Sequence, residues 1–490
     1  MKKLKIILQQ ERGRPARARQ WPEFAGEPPA LRSGRKCFVN LALSLAMGCL
    51  ATGWNAIAQD ADTNSPAWLT QPLSLMGALN TALQQNASIL KGKNDLEASY
   101  GIVVQTRAVA LPQVQATGQF KRTDRNAIEN FPGTMVPDEN WNAGLQIVQS
   151  IYDGGKLLAA VKAARLTKEQ ALAQYQTVIA DSLLAVRVAY YDVLLAAQQI
   201  TVHEASVNLL QKELDDQQHR LDAGTVPKFN VLRAEVAVAN ERPLLIQARN
   251  NYRIAKNNLS NLLGYNLPRD IWEDIPLQLT DTLDAVPYQV NLPDAIQQAL
   301  SHRTELVVLR KTEELQQLNI VNARSGYKPT VQVFAGYNWY NAQFTPPVAL
   351  DHDIHGWNAG AQLSWAIFDG LLTHGKVIQA KALHEKSETD LADQSRQIEL
   401  QVRTAYSDFI EAKEVLDSQE TVMAEADEAL REANARAGAG TGTQLDVLDA
   451  ETSLTQARTT NVQALHDYAA ARAKLERAIG EDMVQTAAAK

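Results

Sequence analysis

Two aspartates near the C-terminal end, Asp446 and Asp449, have the spacing most able to support chemistry. They stand three residues apart in the segment TQLDVLDAE, which predicts the start of a helix, so both carboxylates are expected on one face. Such a pair could attract cations. The same residues also fit helix capping, because acids in a first turn favour the helix dipole and Thr443 with Asp446 forms a variant capping box. Both interpretations stay open.

A second candidate is the segment DHDIH, in which His352 and His355 could bind a metal together with Asp351 or Asp353. This segment falls in a predicted exposed loop of a strand hairpin, where a solvated acidic loop is the more common structure. The patterns HExxH, CxxC, GxSxG and the phosphate-binding P-loop do not occur in the sequence. We therefore expect no enzyme active site, no cofactor and no resident metal.

The segments that contain these residues belong to an internal sequence repeat. Residues 223–235 read AGTVPKFNVLRAE and residues 439–451 read AGTGTQLDVLDAE, 216 positions apart. Residues 141–154 and 357–370 match at the same spacing, as WNAGLQIVQSIYDG and WNAGAQLSWAIFDG. A self-similarity of this length predicts two copies of one unit, 73–265 and 290–481. The inter-repeat linker is then 266–289, the N-terminal linker 59–72 and the C-terminal tail 482–490.

The first 58 residues differ from the rest in charge. They carry ten Lys and Arg against three acids, a net charge of +7, which leaves −14 for the remaining chain. A basic start, an apolar run from Cys37 to Leu50 and small residues before Gln59 predict a secretory signal, 1–58, cleaved after Ala58. An alternative is lipid attachment at Cys49. The small residue Gly48 before the cysteine favours it, whereas Ala46 disfavours it because a larger aliphatic residue is expected three positions before the cysteine. The acidic remainder argues against a nucleic-acid partner.

Each copy is predicted to start with a helix, and strand patterns follow it. Apolar residues alternate with polar ones from 114 to 120 and from 331 to 339, and the WNAG segment after each fits a second strand. Polar loops at about 122–139 and 341–355 are predicted between the two strands of each pair. Aromatic residues near the strand ends are expected either to form an interfacial belt or to pack in a core: Trp141, Tyr152, Trp339, Tyr340 and Trp357.

Very long helices are predicted after the strands. Residues 156–222 and 371–437 contain no proline, and apolar residues recur every seventh position, which is typical of a left-handed coiled coil. A helix of this length spans on the order of 100 Å. Gly224 and Gly440 fit the left-handed conformation that ends a helix, so each AGT segment predicts a hairpin tip, at 223–230 and 438–446. Pro243 predicts a kink in the returning helix of the first copy.

Taken together, the signal segment, the duplication, one strand pair per copy, the AGTxxxxxVLxAE tips and the DG turns resemble the TolC-like outer-membrane efflux proteins. The resemblance covers residues 70–482. It implies a mostly α fold with a small β part, namely a long antiparallel coiled-coil helical barrel plus a transmembrane β-barrel with four strands per protomer and twelve per homotrimer. Four strands cannot close a membrane barrel alone, since the smallest have about eight.

The same resemblance implies an outer-membrane channel of a tripartite efflux or type I secretion system, in outer-membrane lipid with its helices in the periplasm. Its partners would be a periplasmic adaptor protein and an inner-membrane pump of the RND, ABC or MFS type. The alternative is a coiled-coil structural protein of the periplasm or cell surface, which explains the heptads but not the strand pairs.

Residue roles follow from the resemblance at matching positions. Asp446 and Asp449 would form an acidic ring that narrows the periplasmic entrance, where crowded carboxylates attract cations and raise one another's pKa. The expected adaptor-docking residues, for which helix termination and core packing are the alternatives, are Gly224, Thr225, Leu232, Gly440, Thr441 and Leu448.

The sequence departs from the family in the residues that link neighbouring coils at the entrance. Gly442 replaces a basic residue, Ala437 a tyrosine and Asn230 an acid. The entrance is therefore expected to be looser than in the family or to be held by other contacts.

Overall fold

The computed structural model describes residues 72–124, 137, 139–265, 275–344 and 350–481. The predicted signal segment 1–58, the lipid-attachment candidate Cys49 and the tail 482–490 lie outside the described residues. So do 59–71 of the N-terminal linker and 266–274 of the inter-repeat linker.

The elements follow one another in the same order in both copies. The first copy contains α1 (Leu75–Gln85), α2 (Ala87–Ala108), β1 (Gln113–Arg122), β2 (Glu139–Asp153), α3 (Lys156–Asp222) and α4 (Lys228–Leu262). The second contains α5 (Leu292–His302), α6 (Thr304–Arg324), β3 (Thr330–Phe344), β4 (Leu350–Ser364), α7 (Leu372–Gly438) and α8 (Gln444–Ile479).

One antiparallel sheet combines the two strand pairs in the order β1-β2-β3-β4. Most of the predicted loop of the first pair, at 125–136 and 138, lies outside the described residues. The predicted loop at 341–355 is wrong, because β3 continues to Phe344 and β4 begins at Leu350. The DHDIH segment therefore lies in a strand, where Asp353 pairs with Asn341 and accepts a hydrogen bond from Trp339 Nε1 at 2.5 Å.

The sheet has two chemically different faces, because residues paired directly across antiparallel strands point to the same side. One face is apolar and exposed, with Trp357 81% exposed; it carries Val114, Phe120, Trp141, Leu145, Ile147, Ala335, Tyr337, Trp339, Trp357 and Leu363. The opposite face carries Gln115, Thr117, Gln119, Asn142, Gln146, Asn338 and Asn358. Of the predicted aromatic belt, Tyr340 lies on this second face.

Both long helices form as predicted, α3 and α7 having 67 residues each. Their heptad positions are buried near the middle, at Val186 and Val193 in α3 and at Val402 and Phe409 in α7. Pro243 lies inside α4, which continues through it to Leu262; a kink there stays a prediction. Among the described helices, none has the length and apolarity that a membrane-spanning helix requires.

Each short helix pair is tied to the end of the returning helix in its own copy. Asn86 caps α2 by accepting from the backbone of Ser88 and Ile89, and its Nδ2 donates to Leu262 O at 2.6 Å. At the corresponding position of the second copy, Arg303 Nη1 donates to Ala478 O at 3.1 Å. The two copies make the same junction with different side chains.

Buried charges join the copies where α8 packs on α3. Arg187 Nη1 and Glu476 Oε2 lie 2.5 Å apart, with both side chains almost fully buried. Arg472 Nε donates to Glu476 Oε1 at 2.7 Å, and Arg187 Nε donates to the Tyr191 hydroxyl at 3.0 Å. The pair is thus hydrogen-bonded on several sides, as a buried ion pair must be to offset its desolvation.

Candidate functional site

The predicted tips are closed by the same backbone geometry in both copies. Gly224 and Gly440 each adopt φ +74°, a left-handed conformation that favours glycine. After each glycine, the threonine backbone N–H and hydroxyl both interact with a carbonyl one turn back. Thr225 donates to Arg220 O and Thr441 to Arg436 O. The shared AGT letters therefore encode helix termination.

The backbone geometry of the second tip explains why residue 442 is a glycine. Its N–H donates to Arg436 O at 3.0 Å, and an added Cβ would lie 2.9 Å from Arg436 Cβ and 3.0 Å from Ala437 N. A larger side chain would force this backbone apart. The basic residue that the resemblance leads us to expect here is therefore incompatible with the tip as it is folded in this chain.

Asp446 caps α8, as one of the two sequence interpretations predicted. Its carboxylate accepts from Thr443 N at 2.8 Å, and Thr443 Oγ1 accepts from Asp446 N at 3.3 Å. The Thr443 N–H is the main cause of a lowered pKa for the Asp446 carboxyl. Asp446 and Asp449 are both exposed, so the cap leaves the carboxylates available at the surface of the protomer.

The two tips touch through Gln444. Its Nε2 donates to Asn230 O at 3.1 Å, from the first turn of α8 to the first turn of α4. This is a contact within one chain at Asn230, where the resemblance leads us to expect an acid instead.

Beneath the tips lies a cleft of about 630 Å³ lined by three acids not singled out from the sequence, Glu213, Asp216 and Glu451. Glu451 is only 3% exposed, and burial raises its pKa to about 7. Burial also raises the pKa of Glu213 on α3, with Gln217 Nε2 donating to its carboxylate at 2.8 Å. The equivalent of Glu451 in the first copy, Glu235, is exposed. Because both glutamates end the same VLxAE pattern, the sequence does not show that Glu451 is buried and Glu235 exposed.

The two predicted docking leucines occupy different environments. Leu232 on α4 is 47% exposed, whereas Leu448 on α8 is 7% exposed and packs with Leu210 and Val238. For Leu448 the structure therefore shows the core packing that the sequence left open. Two exposed apolar side chains in the first turns of α4 and α8 were not singled out from the sequence, Phe229 and Leu445.

Asp353 and His355 of the DHDIH segment lie on the apolar sheet face beside Trp339, whose ring centroid is 6.2 Å from that of His355. The side chains of Asp351 and His352 lie outside the described residues. The described part of this segment interacts with an aromatic side chain.

Comparisons with known proteins agree with this architecture. A family model described as "Outer membrane efflux protein" matches residues 78–265 and 295–481, one match within each repeat. The chain belongs to the outer membrane efflux protein family. It is 24% identical over 424 residues to outer membrane protein TolC of Escherichia coli K12, covering 84% of this chain and 83% of that protein.

Other similarities point the same way. The chain is 22% identical over 445 residues to cobalt-zinc-cadmium resistance protein CzcC of Cupriavidus metallidurans, covering 90% of this chain and 99% of that protein. The solved outer membrane channel CmeC of Campylobacter jejuni superimposes with a TM-score of 0.72 at 15% identity, covering 83% of this chain and 85% of that one.

The predicted family, the fold class and the outer-membrane location with the helices in the periplasm are confirmed. The predicted function is confirmed too: the chain is an outer-membrane channel of efflux or secretion systems. Family and fold are those of channel proteins, which are not enzymes. The family assignment favours the channel over the coiled-coil structural alternative.

Proposed function

We propose that three copies of the chain assemble into one passive conduit from the periplasm to the exterior. The observation that carries this is the four-stranded sheet. Within the described residues, β1 and β4 each pair on one side only, and four strands are too few to close a membrane barrel. Pairing of β4 with β1 of the next copy would satisfy both edges and give twelve strands in a closed ring.

The two faces of the sheet support this orientation. A face of Val, Leu, Phe and Trp side chains exposed in the protomer suits outer-membrane lipid, and the opposite face of Gln, Asn and Thr side chains suits water. The long helices then extend the same water-filled passage across the periplasm by on the order of 100 Å.

Asp446 and Asp449 of the three copies would form a ring of up to six carboxylates at the periplasmic end. Their exposure in the protomer supports this role, since neither carboxylate is buried in the chain's own core. Fixed negative charges at a narrow point favour cations. Capping of α8 by Asp446 is compatible with the ring and holds that carboxylate in a defined position.

The tips would dock a periplasmic adaptor protein, which connects the channel to an inner-membrane pump of the RND, ABC or MFS type. Gly224, Thr225, Gly440 and Thr441 give the adaptor two similar closed loops. Leu232 offers an exposed apolar contact, while Leu448 supports the tip from beneath. Phe229 and Leu445, both exposed, extend the apolar surface.

The cargo would be decided by the pump. Relatives of similar distance carry different names: one is the proteases secretion protein PrtF of Dickeya chrysanthemi, at 22% identity, and another is CzcC. A conduit whose walls select only by width and charge is consistent with both.

Planar-bilayer conductance of the purified protein tests the proposal. We expect cation-selective channels, and we expect the double variant Asp446→Asn, Asp449→Asn to lose much of that selectivity while asparagine at 446 keeps an acceptor for Thr443 N. The matched control is Glu420→Gln. Glu420 is an exposed acid on α7, away from the tip, and this variant should keep the selectivity.

Native mass measurement in detergent tests the assembly separately. A trimer is expected; a monomer that needs no detergent and forms no channels would overturn the proposal. Unchanged selectivity in the double variant would leave the conduit in place but remove the acidic ring.

A further inference from the structure

Three side chains with metal-binding atoms converge between α6 and α7, far along the chain from the tips. His384 and Glu388 stand one turn apart on α7, and Glu313 faces them from α6, which packs against α7. One ring nitrogen of His384 and one carboxylate oxygen of each glutamate all lie within 4.8 Å of one another. Neither the DHDIH segment nor the tips contribute to this group.

The histidine is held without a partner of its own. His384 Nδ1 has an accessible surface below 1 Å² and no hydrogen-bond partner among the described residues, although the side chain as a whole is 17% exposed. The Glu388 carboxylate oxygen nearest to Nδ1 is 3.9 Å away, which is too far for a hydrogen bond. A buried polar atom left unsatisfied is costly, so its persistence calls for a further partner.

The glutamates also lack balancing charge. Within the part of the chain that the structure describes, neither Glu313 nor Glu388 forms an ion pair with a lysine or arginine. The nearby Lys311 is engaged by Glu314 and by Glu169 instead. Two carboxylates directed at one histidine therefore lack a cation, and a divalent ion would supply it.

The donor set selects the kind of ion. One imidazole nitrogen and two carboxylate oxygens suit Zn²⁺, which commonly takes three protein ligands and one water, whereas Ca²⁺ and Mg²⁺ prefer oxygen ligands alone. Tetrahedral bonds near 2.0–2.2 Å place ligand atoms roughly 3.3–3.6 Å apart. The 3.9 Å between His384 Nδ1 and Glu388 Oε1 is close to that separation, and the other ligand-atom separations do not exceed 4.8 Å, so side-chain rotations would bring the three atoms around one ion.

The first copy has no counterpart of this group. The positions equivalent to His384 and Glu388 at the 216-residue spacing are Lys168 and Leu172. Lys168 Nζ instead lies 5.2 Å from the centre of the Tyr100 ring. The convergence of ligands therefore does not follow from the repeated architecture, because the same helices in the first copy pack without it.

We propose that His384, Glu388 and Glu313 form a Zn²⁺ site that fastens α6 to α7, with water as the fourth ligand. Binding to groups on two helices would hold them together at the end of the helical part nearer the strands. The group contains no residue of the tips, and the proposal stands whether or not the acidic ring exists.

Titration of Zn²⁺ alone into tag-free, chelator-stripped protein in detergent tests the site, with calorimetry as the readout. One Zn²⁺ per chain is expected, and His384→Ala and Glu313→Gln should each weaken binding at least about tenfold. His374→Ala, an exposed histidine on the first turn of the same helix, should bind as the wild type does. The two weakened variants change different helices, so a folding defect in one does not decide the outcome.

Two further measurements separate a built site from surface binding. Zn²⁺ should raise the thermal unfolding midpoint of the wild type and of His374→Ala but not of His384→Ala, and Co²⁺ at the same site should give the visible absorption of tetrahedral coordination. The proposal is overturned if the wild type binds no Zn²⁺, if His384→Ala binds it with unchanged affinity, or if equimolar Mg²⁺ displaces it.

Discussion

The two repeats share their backbone and differ in their polar chemistry. Both contain two short helices, a strand pair and a long helical hairpin in the same order. However, α8 of the second copy packs on α3 of the first, while α4 has no comparable contact with α7 among the described residues. Equivalent helices therefore face different neighbours within one chain.

The charged residues follow that difference. Arg187 is buried against Glu476, but its equivalent Arg403 is exposed and pairs with Glu399 on its own helix, and the equivalent of Glu476 is Ser260. Duplication thus conserved the periodicity that shapes the helices. The residues at each contact depend on the neighbouring helix, so chemistry inferred for one copy does not transfer to the other.

The largest test of this comparison is Glu476→Gln. Removing this charge leaves Arg187 and Arg472 buried near a neutral amide, which should cost about 3–5 kcal/mol and lower the thermal unfolding midpoint in detergent. Glu399→Gln, at the exposed pair of the other copy, should cost less than about 0.5 kcal/mol. Equal losses would contradict the difference in burial between the two sites.

Glycine substitutions at the ends of the returning helices should show a smaller contrast. Gly264 and Gly480 both have positive φ, so alanine costs roughly 1–2 kcal/mol at either position. At Gly264 the added Cβ would also lie 2.3 Å from Gln85 O, whereas at Gly480 the nearest atom is 3.5 Å away. Gly264→Ala should therefore cost on the order of 3 kcal/mol, measured as the loss of thermal stability. A larger loss from Gly480→Ala would contradict the packing at these junctions.

The pH dependence of stability should distinguish the buried acid from its exposed equivalent. Glu451 has a folded pKa of about 7 against an ordinary value of 4.5, so the folded protein holds more protons between these values. The resulting stabilisation is fully present below pH 4.5 and is lost as the pH rises through 7. It amounts to at most about 3 kcal/mol, with Glu213 nearby adding in the same direction.

Glu451→Gln should therefore flatten the fall in unfolding temperature between pH 5 and pH 8, measured in detergent. Glu235→Gln, at the exposed equivalent position, should leave the pH profile unchanged. An unaltered profile in Glu451→Gln would show that this carboxyl is not buried in the assembled protein.

The smallest expected change in stability comes from the N-terminal ends of the two returning helices, α4 and α8. Thr443→Ala should cost about 1 kcal/mol and reduce hydrogen-exchange protection in the first turn of α8, because it removes the acceptor for Asp446 N. Thr443→Ser keeps a hydroxyl and should restore the protection. The equivalent helix α4 of the first copy has Pro227 at its N-cap and no side-chain cap, so its first turn provides the internal reference.

Sequence patterns predicted what depends on local periodicity. The seven-residue spacing predicted two helices of 67 residues, and the AGT segments predicted where they end. Thr443 and Asp446 predicted a capping box, which the structure contains. The predicted loop at 341–355 was wrong because Asp and Asn have low strand propensity, whereas cross-strand pairing between β3 and β4 stabilises the strand there.

The tertiary structure alone decided which side chains are buried and which distant side chains come together. A helical repeat states which residues share a face, but not which neighbouring helix covers that face. For this reason Glu451 and Leu448 are buried while Glu235 and Leu232, with the same local letters, are exposed. The Glu313, His384 and Glu388 group was equally hidden, since its ligands stand 71 residues apart on two helices that meet only when the chain folds.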